Sequence, residues 1–255
     1  MRFKLSYLNL LEEGDKMFYR KAVLIIHGFA GGTYDEELLF FYLQPYLEFD
    51  VYNFTLPGHS TNLDTISSYQ DWINSVDDKV ETLIAKGYKK IYVIGHSMGG
   101  LLATHVAIKY DQVKKLVLVA PAFQYLSMDN GHTLTKALKH GPDLIKTYEA
   151  REVVSRILKV SVNQLHEFTE FVRVSQKNPS LIKKPTLIIQ GLDDNVVPPP
   201  SSSKIFKEMT CPKWLIKVTG VNHDVFRSNR VNEINAEITK FLKSKKYNAE
   251  NTRTW

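Results

Sequence analysis

The stretch Lys90-Ile91-Tyr92-Val93-Ile94-Gly95-His96-Ser97-Met98-Gly99-Gly100-Leu101-Leu102 changes character twice within a few residues. A short apolar run, 91–94, stops at Gly95. The pentapeptide Gly95-His96-Ser97-Met98-Gly99 follows, a G-x-S-x-G, and a helical pattern starts at once. The order is strand, tight turn, helix. A serine on such a turn is held in strained backbone geometry with its hydroxyl above a sheet. Glycines flank it because a Cβ there would strike the neighbouring strand or helix. The helix that begins after Ser97 aims main-chain N–H groups at whatever lies by the hydroxyl, which favours an oxyanion. Ser97 is therefore a candidate nucleophile. A lone G-x-S-x-G is common by chance, so its meaning depends on what the rest of the chain supplies.

Toward the N-terminus, residues 22–26 form a continuous apolar run, as in a strand buried on both faces. It ends in the glycine-rich loop His27-Gly28-Phe29-Ala30-Gly31-Gly32. Residues 34–47 suit a helix and 51–56 a further strand, before the turn Pro57-Gly58-His59-Ser60. Between 68 and 87, Tyr69, Trp72, Ile73, Val76, Val80, Leu83 and Ile84 share one helical face. Ser68 and Asp71 there read as a capping box, and Gly87 suits the position just past the helix end. Residues 1–20 are mixed, with one or two edge strands at most.

Toward the C-terminus, Met98, Leu101, Leu102 and His105 read as one helical stripe. Residues 115–120 form another buried strand. Residues 122–182 then break the rhythm. They lack an apolar strand run and offer helical stripes instead: Val153, Val154, Ile157 and Leu158, then Leu165, Phe168, Phe171 and Val172. Strand rhythm resumes at 186–190. A helix over 202–209, a strand at 214–218 and a last helix carrying Val231, Ile234, Ile238, Phe241 and Leu242 complete the chain. Alternating strands and helices predict an α/β fold with a doubly wound, mostly parallel sheet. Ligands of such sheets sit beyond the carboxyl ends of the strands. The loops after Ile26, Leu56, Ile94, Ala120, Gln190 and Val218 should therefore share one rim. On this reading, 1–121 and 183–255 form the core, and 122–182 is a helical lid over the rim.

A serine hydroxyl needs a base, usually histidine, and the base needs a carboxylate to orient it. Asp193 and Asp194 follow one rim strand, and His223 with Asp224 follows another. The sequence alone leaves Asp193 and Asp194 in competition, with Asp224 a weaker third. The order serine, aspartate, histidine is that of the α/β-hydrolases. The chain resembles that family from Ala22 to Leu242, particularly small bacterial carboxylesterases and monoacylglycerol-lipase-like enzymes. The resemblance is carried by His27-Gly28-Phe29, Pro57-Gly58-His59-Ser60, Gly95 to Gly100, Gly191-Leu192-Asp193-Asp194-Asn195-Val196-Val197-Pro198 and Gly220-Val221-Asn222-His223. It implies a catalytic triad of Ser97, Asp194 and His223. It also implies an oxyanion hole formed by the main-chain N–H groups of Phe29 and Met98. The loop is His-Gly-Phe here, not the His-Gly-Gly-Gly of another lipase branch.

The expected activity is hydrolysis of short- to medium-chain acyl esters, monoacylglycerols among them, through an acyl-serine. Phe29, Phe123, Tyr125, Leu126, Met128, Phe168 and Phe171 are candidate lining for the substrate pocket. The same triad serves amides and prolyl peptides, and the same fold serves binding proteins that turn nothing over. His27, His59 and His96 are expected to position loops, and His105 to be a satisfied boundary histidine. His132, His140 and His166 fall in the lid. No metal-ligand spacing, phosphate loop or dinucleotide fingerprint occurs, so neither metal nor cofactor is expected.

The net charge is +6. Part of the excess lies in Lys240, Lys243, Lys245, Lys246 and Arg253, which reads as a solvated helix end and not as a nucleic-acid face. Cys211 is the only cysteine, which fits a reducing compartment. Neither a signal peptide nor a membrane span is read, so a cytoplasmic enzyme acting on a small-molecule ester is expected.

Overall fold

A computed structural model of the protein describes residues 20–59, 67–124 and 160–255. Among these, seven strands form one sheet: β1 (Lys21–Ile26), β2 (Phe49–Asn53), β3 (Ile91–His96), β4 (Val113–Val119), β5 (Thr186–Gly191), β6 (Lys213–Val218) and β7 (Thr252–Thr254). Their order across the sheet is β2-β1-β3-β4-β5-β6-β7, and every pair is parallel. The helices are α1 (Glu37–Leu43), α2 (Tyr69–Ala85), α3 (Met98–Lys109), α4 (Val162–Ser175), α5 (Asn178–Leu181), α6 (Pro199–Glu208) and α7 (Val231–Lys243).

The alternation of side chains along β1 divides the core in two. Ala22, Leu24 and Ile26 pack with Trp72, Val76, Val80, Leu101 and Ile205 on one face of the sheet. Val23 and Ile25 pack with Leu39, Leu43, Ile234, Ile238 and Phe241 on the other. Strands covered on both sides must be apolar throughout, which is why 22–26 shows no alternation. Each large side chain buried this way contributes about 1.5–3 kcal/mol.

Local chemistry sets the element ends. Ser68 Oγ accepts from the Asp71 N–H at 3.2 Å, and the Asp71 carboxylate accepts from the Ser68 N–H at 2.8 Å, which closes the capping box of α2. Gly87 follows with φ of 93°, a conformation that suits a residue without Cβ. α1 is shorter than the expected 34–47, because Pro45 has no N–H to continue the ladder. β2 ends at Asn53 and not at 56, because the chain leaves the sheet and gives the Leu56 N–H to the His27 ring. α6 starts at Pro199, three residues before the expected start; two prolines fit its first turn, where no N–H is needed.

α3 departs from the expected single stripe. It is buried on almost every side, wedged against the sheet, α2, α4 and α5. His105 instead meets Asp77 of α2 at 3.0 Å. β7 has no counterpart in the sequence reading. Three residues, Thr-Arg-Thr, carry no apolar signal, and only main-chain pairing to β6 reveals them. Arg253, read as part of a basic tail, pairs there with Glu237. The edge strands expected within residues 1–19 and the stripe of Val153, Val154, Ile157 and Leu158 lie outside the described residues.

Candidate active site

The turn between β3 and α3 is as tight as its glycines imply. A Cβ on Gly95 would overlap the Gly99 carbonyl, and one on Gly99 would overlap the carbonyl oxygens of Ile26 and His27. Between them Ser97 takes φ 54° and ψ −118°. Such a conformation costs a non-glycine residue about 1–3 kcal/mol. The surroundings hold it there. The Ser97 N–H donates to the Val119 carbonyl at 2.9 Å, and the Ser97 carbonyl accepts from Ala122 and Gly100 at 3.1 and 2.9 Å.

Three rim loops meet at this serine. His223 Nε2 lies 3.1 Å from Ser97 Oγ, and His223 Nδ1 lies 2.9 Å from Asp194 Oδ2. Since the carboxylate can only accept, Nδ1 carries the proton and Nε2 is free to accept from the hydroxyl. The carboxylate that faces His223 belongs to Asp194. Asp193 is exposed and bonds through its main chain to Val221. Asp224 gives its N–H to Asn222.

Asp194 is fully enclosed. Its Oδ1 accepts from the Val196 and Val197 N–H groups, each at 2.8 Å, and its Oδ2 also accepts from Gln190 at 3.1 Å. Burial opposes its charge, but His223 and the two main-chain donors outweigh burial and hold the carboxyl below its ordinary range. Gln190, steadied by the Ser202 hydroxyl at 2.6 Å, is a site residue that the sequence reading passed over. A glutamine inside the apolar run of β5 was the available signal, since a buried amide must find partners.

The loop after β1 closes the other side. Gly28 lies so near that a Cβ there would come 3.0 Å from Ser97 Cβ. Neither the Phe29 nor the Met98 N–H finds an acceptor among the described residues. Met98 stands at the first position of α3, where helix N–H groups lack an intrahelical partner. His27 fastens the loop: its Nδ1 donates to the Gly28 carbonyl at 2.8 Å, and its Nε2 accepts the Leu56 N–H at 3.0 Å. A donor on one nitrogen and an acceptor on the other define a neutral ring. Burial accordingly lowers the pKa of His27 to about 4. His59 packs between the Phe29 and Trp72 rings and bonds the Pro57 carbonyl at 2.9 Å; burial lowers its pKa too.

The expected lining residues divide. Phe168 of α4 stacks on Phe29, while Phe171 packs against Trp72 and Tyr69 within the core. Phe123 is buried just past β4, its carbonyl accepting from Gln176 at 2.8 Å. Tyr125, Leu126 and Met128 lie outside the described residues, as do His132 and His140. α4 is fastened to α2 by two side chains. Gln164 bonds both main-chain groups of Ser67, at 3.0 and 2.9 Å, and Glu167 accepts the Tyr69 N–H at 2.9 Å. Among the described residues no cluster of histidine, cysteine and carboxylate could hold a metal ion.

Comparison with known proteins places this geometry in context. A sequence profile for the family described as serine aminopeptidase, S33, matches residues 19–229. A Mycoplasma genitalium protein named as an esterase/lipase is 30% identical over 80% of this chain and 83% of its own length. A Bacillus subtilis carboxylesterase is 23% identical over 74% of this chain and 78% of its own. The crystal structure of the monoacylglycerol lipase of Paleococcus ferrophilus superposes with a TM-score of 0.69 at 22% identity, covering 88% of this chain and 96% of that one.

Proposed function

This chain belongs to the serine aminopeptidase (S33) family of α/β-hydrolases, and from that premise we propose that it is a serine carboxylesterase. One observation carries the reading: His223 stands 3.1 Å from the Ser97 hydroxyl and 2.9 Å from the buried Asp194 carboxylate. Ser97 Oγ attacks the ester carbonyl while His223 Nε2 takes its proton. Asp194 holds the imidazole tautomer and stabilises the imidazolium. The Phe29 and Met98 N–H groups receive the tetrahedral oxyanion; losing one such donor costs about 3 kcal/mol of barrier. The intermediate collapses, His223 protonates the departing alcohol, and acyl-Ser97 remains. Water, deprotonated by the same histidine, then releases the acid.

The alcohol and acyl groups enter beside the Phe29 loop, next to the Ser97 hydroxyl. Phe29, only partly buried beside Ser97, contributes apolar surface, which suits short- to medium-chain esters. The lone, buried Cys211 supports a cytoplasmic setting. No helix among the described residues is long and apolar enough to cross a membrane.

Turnover of p-nitrophenyl acyl esters from acetate to palmitate tests this reading. Activity is expected to peak at short to medium chains and to vanish in Ser97→Ala. Undiminished turnover by that variant would refute the nucleophile. The family description, serine aminopeptidase, favours one second reading, a peptidase or amidase with the same triad. A prolyl-naphthylamide measured beside the esters separates the two. Failure of a fluorophosphonate to label Ser97 would leave a ligand-binding protein that catalyses nothing.

A further inference from the structure

A second buried histidine and carboxylate stand behind the base. Glu36 precedes α1 and is 1% exposed. Its Oε1 lies 2.8 Å from His96 Nδ1, and His96 Nε2 lies 3.0 Å from the main-chain carbonyl of His223. Both partners of the His96 ring are acceptors. A neutral imidazole has a single N–H and would set a lone pair against one of these oxygens; only the imidazolium donates at both. The situation is the reverse of His27, whose ring faces one donor and one acceptor.

The groups around the pair act in the same sense. Burial opposes the charge on His96, but Glu36, Asp224 and the His223 carbonyl outweigh it and raise the pKa to about 9. Burial pushes Glu36 up to about 6, against the pull of His96 and with Asp35 and Asp224 nearby. The two acceptors around the His96 ring and the upward shift of His96 both favour its imidazolium. His27 and His223 are the other titratable rings beside His96, and Phe226 meets it edge-on. A buried ion pair is a poor source of stability, since an apolar pair of similar volume often serves as well. What marks this one is its third partner, the peptide of the base. The adjacent Asp35 makes a parallel link: it accepts the Gly32 N–H of the oxyanion loop at 3.2 Å and meets Arg227, just past His223, at 3.5 Å.

We propose that Glu36 and His96 are positioning residues for the base: the His96 imidazolium, held by Glu36, clamps the His223 carbonyl and so fixes the His223 ring between Ser97 and Asp194. The proposal rests on the serine-hydrolase reading. Neither residue touches the substrate. Both act on the rate of the chemical step through the placement of His223.

Substitution at Glu36 separates this role from a merely structural one. Glu36→Gln removes the charge but lets the amide donate to His96 Nδ1, which leaves Nε2–H on the His223 carbonyl. Glu36→Ala removes the support altogether. Misplacement by about 1 Å costs on the order of 100-fold in rate, so Glu36→Ala should lose about that factor in kcat with KM within about twofold, and Glu36→Gln should recover most of it. Fluorophosphonate labelling of Ser97 should slow in parallel. In uniformly 15N-labelled wild type, both ring nitrogens of His96 should carry protons near neutral pH, and in Glu36→Gln one should. A folded Glu36→Ala with wild-type kcat, or a single protonated nitrogen on His96 in the wild type, overturns the proposal. If the wild type turns over no ester, the hydrolase reading fails, and the nitrogen spectrum still decides whether the bridge exists. If the wild type is active and both Glu36 variants match it, the reading stands and this inference falls.

Discussion

The Phe29 ring lies on the Phe168 ring with centroids 4.6 Å apart and planes within 11° of parallel. One ring belongs to the loop beside Ser97 and the other to α4. The placement of the Phe29 N–H is thus tied to a helix remote in sequence. An aromatic pair contributes about 0.5–1.5 kcal/mol beyond its buried area, equivalent to a rate effect of up to about tenfold. Phe168→Ala should lower kcat/KM on p-nitrophenyl butyrate by up to that factor, and Phe168→Leu by less. Wild-type kinetics in Phe168→Ala would show that the stack does not steer the loop.

Asp194 and Asp193 are neighbours with opposite surroundings, the first enclosed and the second exposed. Asp194→Asn puts an amide where a carboxylate held the tautomer, and kcat should drop by roughly 10⁴-fold. Asp193→Asn should leave kcat within about twofold, as surface changes usually do. Ester turnover of the two variants under identical conditions decides between the carboxylates.

His27 makes the fold sensitive to acid. Burial lowers its folded pKa to about 4 from 6.5. Between those values the unfolded chain binds a proton that the folded chain does not, so stability rises with pH across that window and is lost as pH falls through it. The difference amounts to roughly 3 kcal/mol. His27→Gln, whose amide can donate to Gly28 and accept from Leu56 at any pH, should show a flatter pH dependence of its urea midpoint than the wild type. Parallel curves for the two proteins would contradict this.

Lys115 of β4 reaches across the sheet to the end of α7. Its ammonium donates to the carbonyls of Phe241 and Leu242 at 2.6 and 3.1 Å, and also to that of Ser244. Carbonyls of a last helical turn otherwise lack intrahelical donors, and the helix dipole favours a cation there. Lys115→Met should cost about 2 kcal/mol, a Tm loss of about 4–8 °C in a chain of this size, with ester turnover at moderate temperature unchanged. Calorimetry of the two proteins measures it.

Most of the sheet was legible because strands buried on both faces must be apolar throughout, as 22–26 and 91–94 are. The capping box at Ser68 and Asp71 was legible because it is local chemistry. β7 was not, since Thr252–Thr254 is specified by main-chain pairing alone. Within the candidate site, residues on loops at strand ends could be named from order and spacing. The groups that support them could not. Glu36, Gln164, Glu167 and Gln190 work through partners distant in sequence or through burial, and as isolated polar residues they resemble any solvated side chain. The choice between Asp193 and Asp194 likewise needed the direction of a loop, which one residue of register reverses.

The described strands that gather these loops on one rim all run parallel, and this bears on how the chain reaches its native state. Among the described residues no strand pair is closed by a hairpin. Even the pair nearest in sequence, Ile91 with Val113, must enclose the whole of α3. Each strand contact therefore costs loop entropy before it returns any stabilisation, whereas α2 can form early from its own cap and stripe. The apolar strands 91–94 and 116–119 stay exposed until they pair. While unpaired, they are the segments through which one chain would most readily associate with another, so recovery of the native protein is a competition between molecules as well as a search within one.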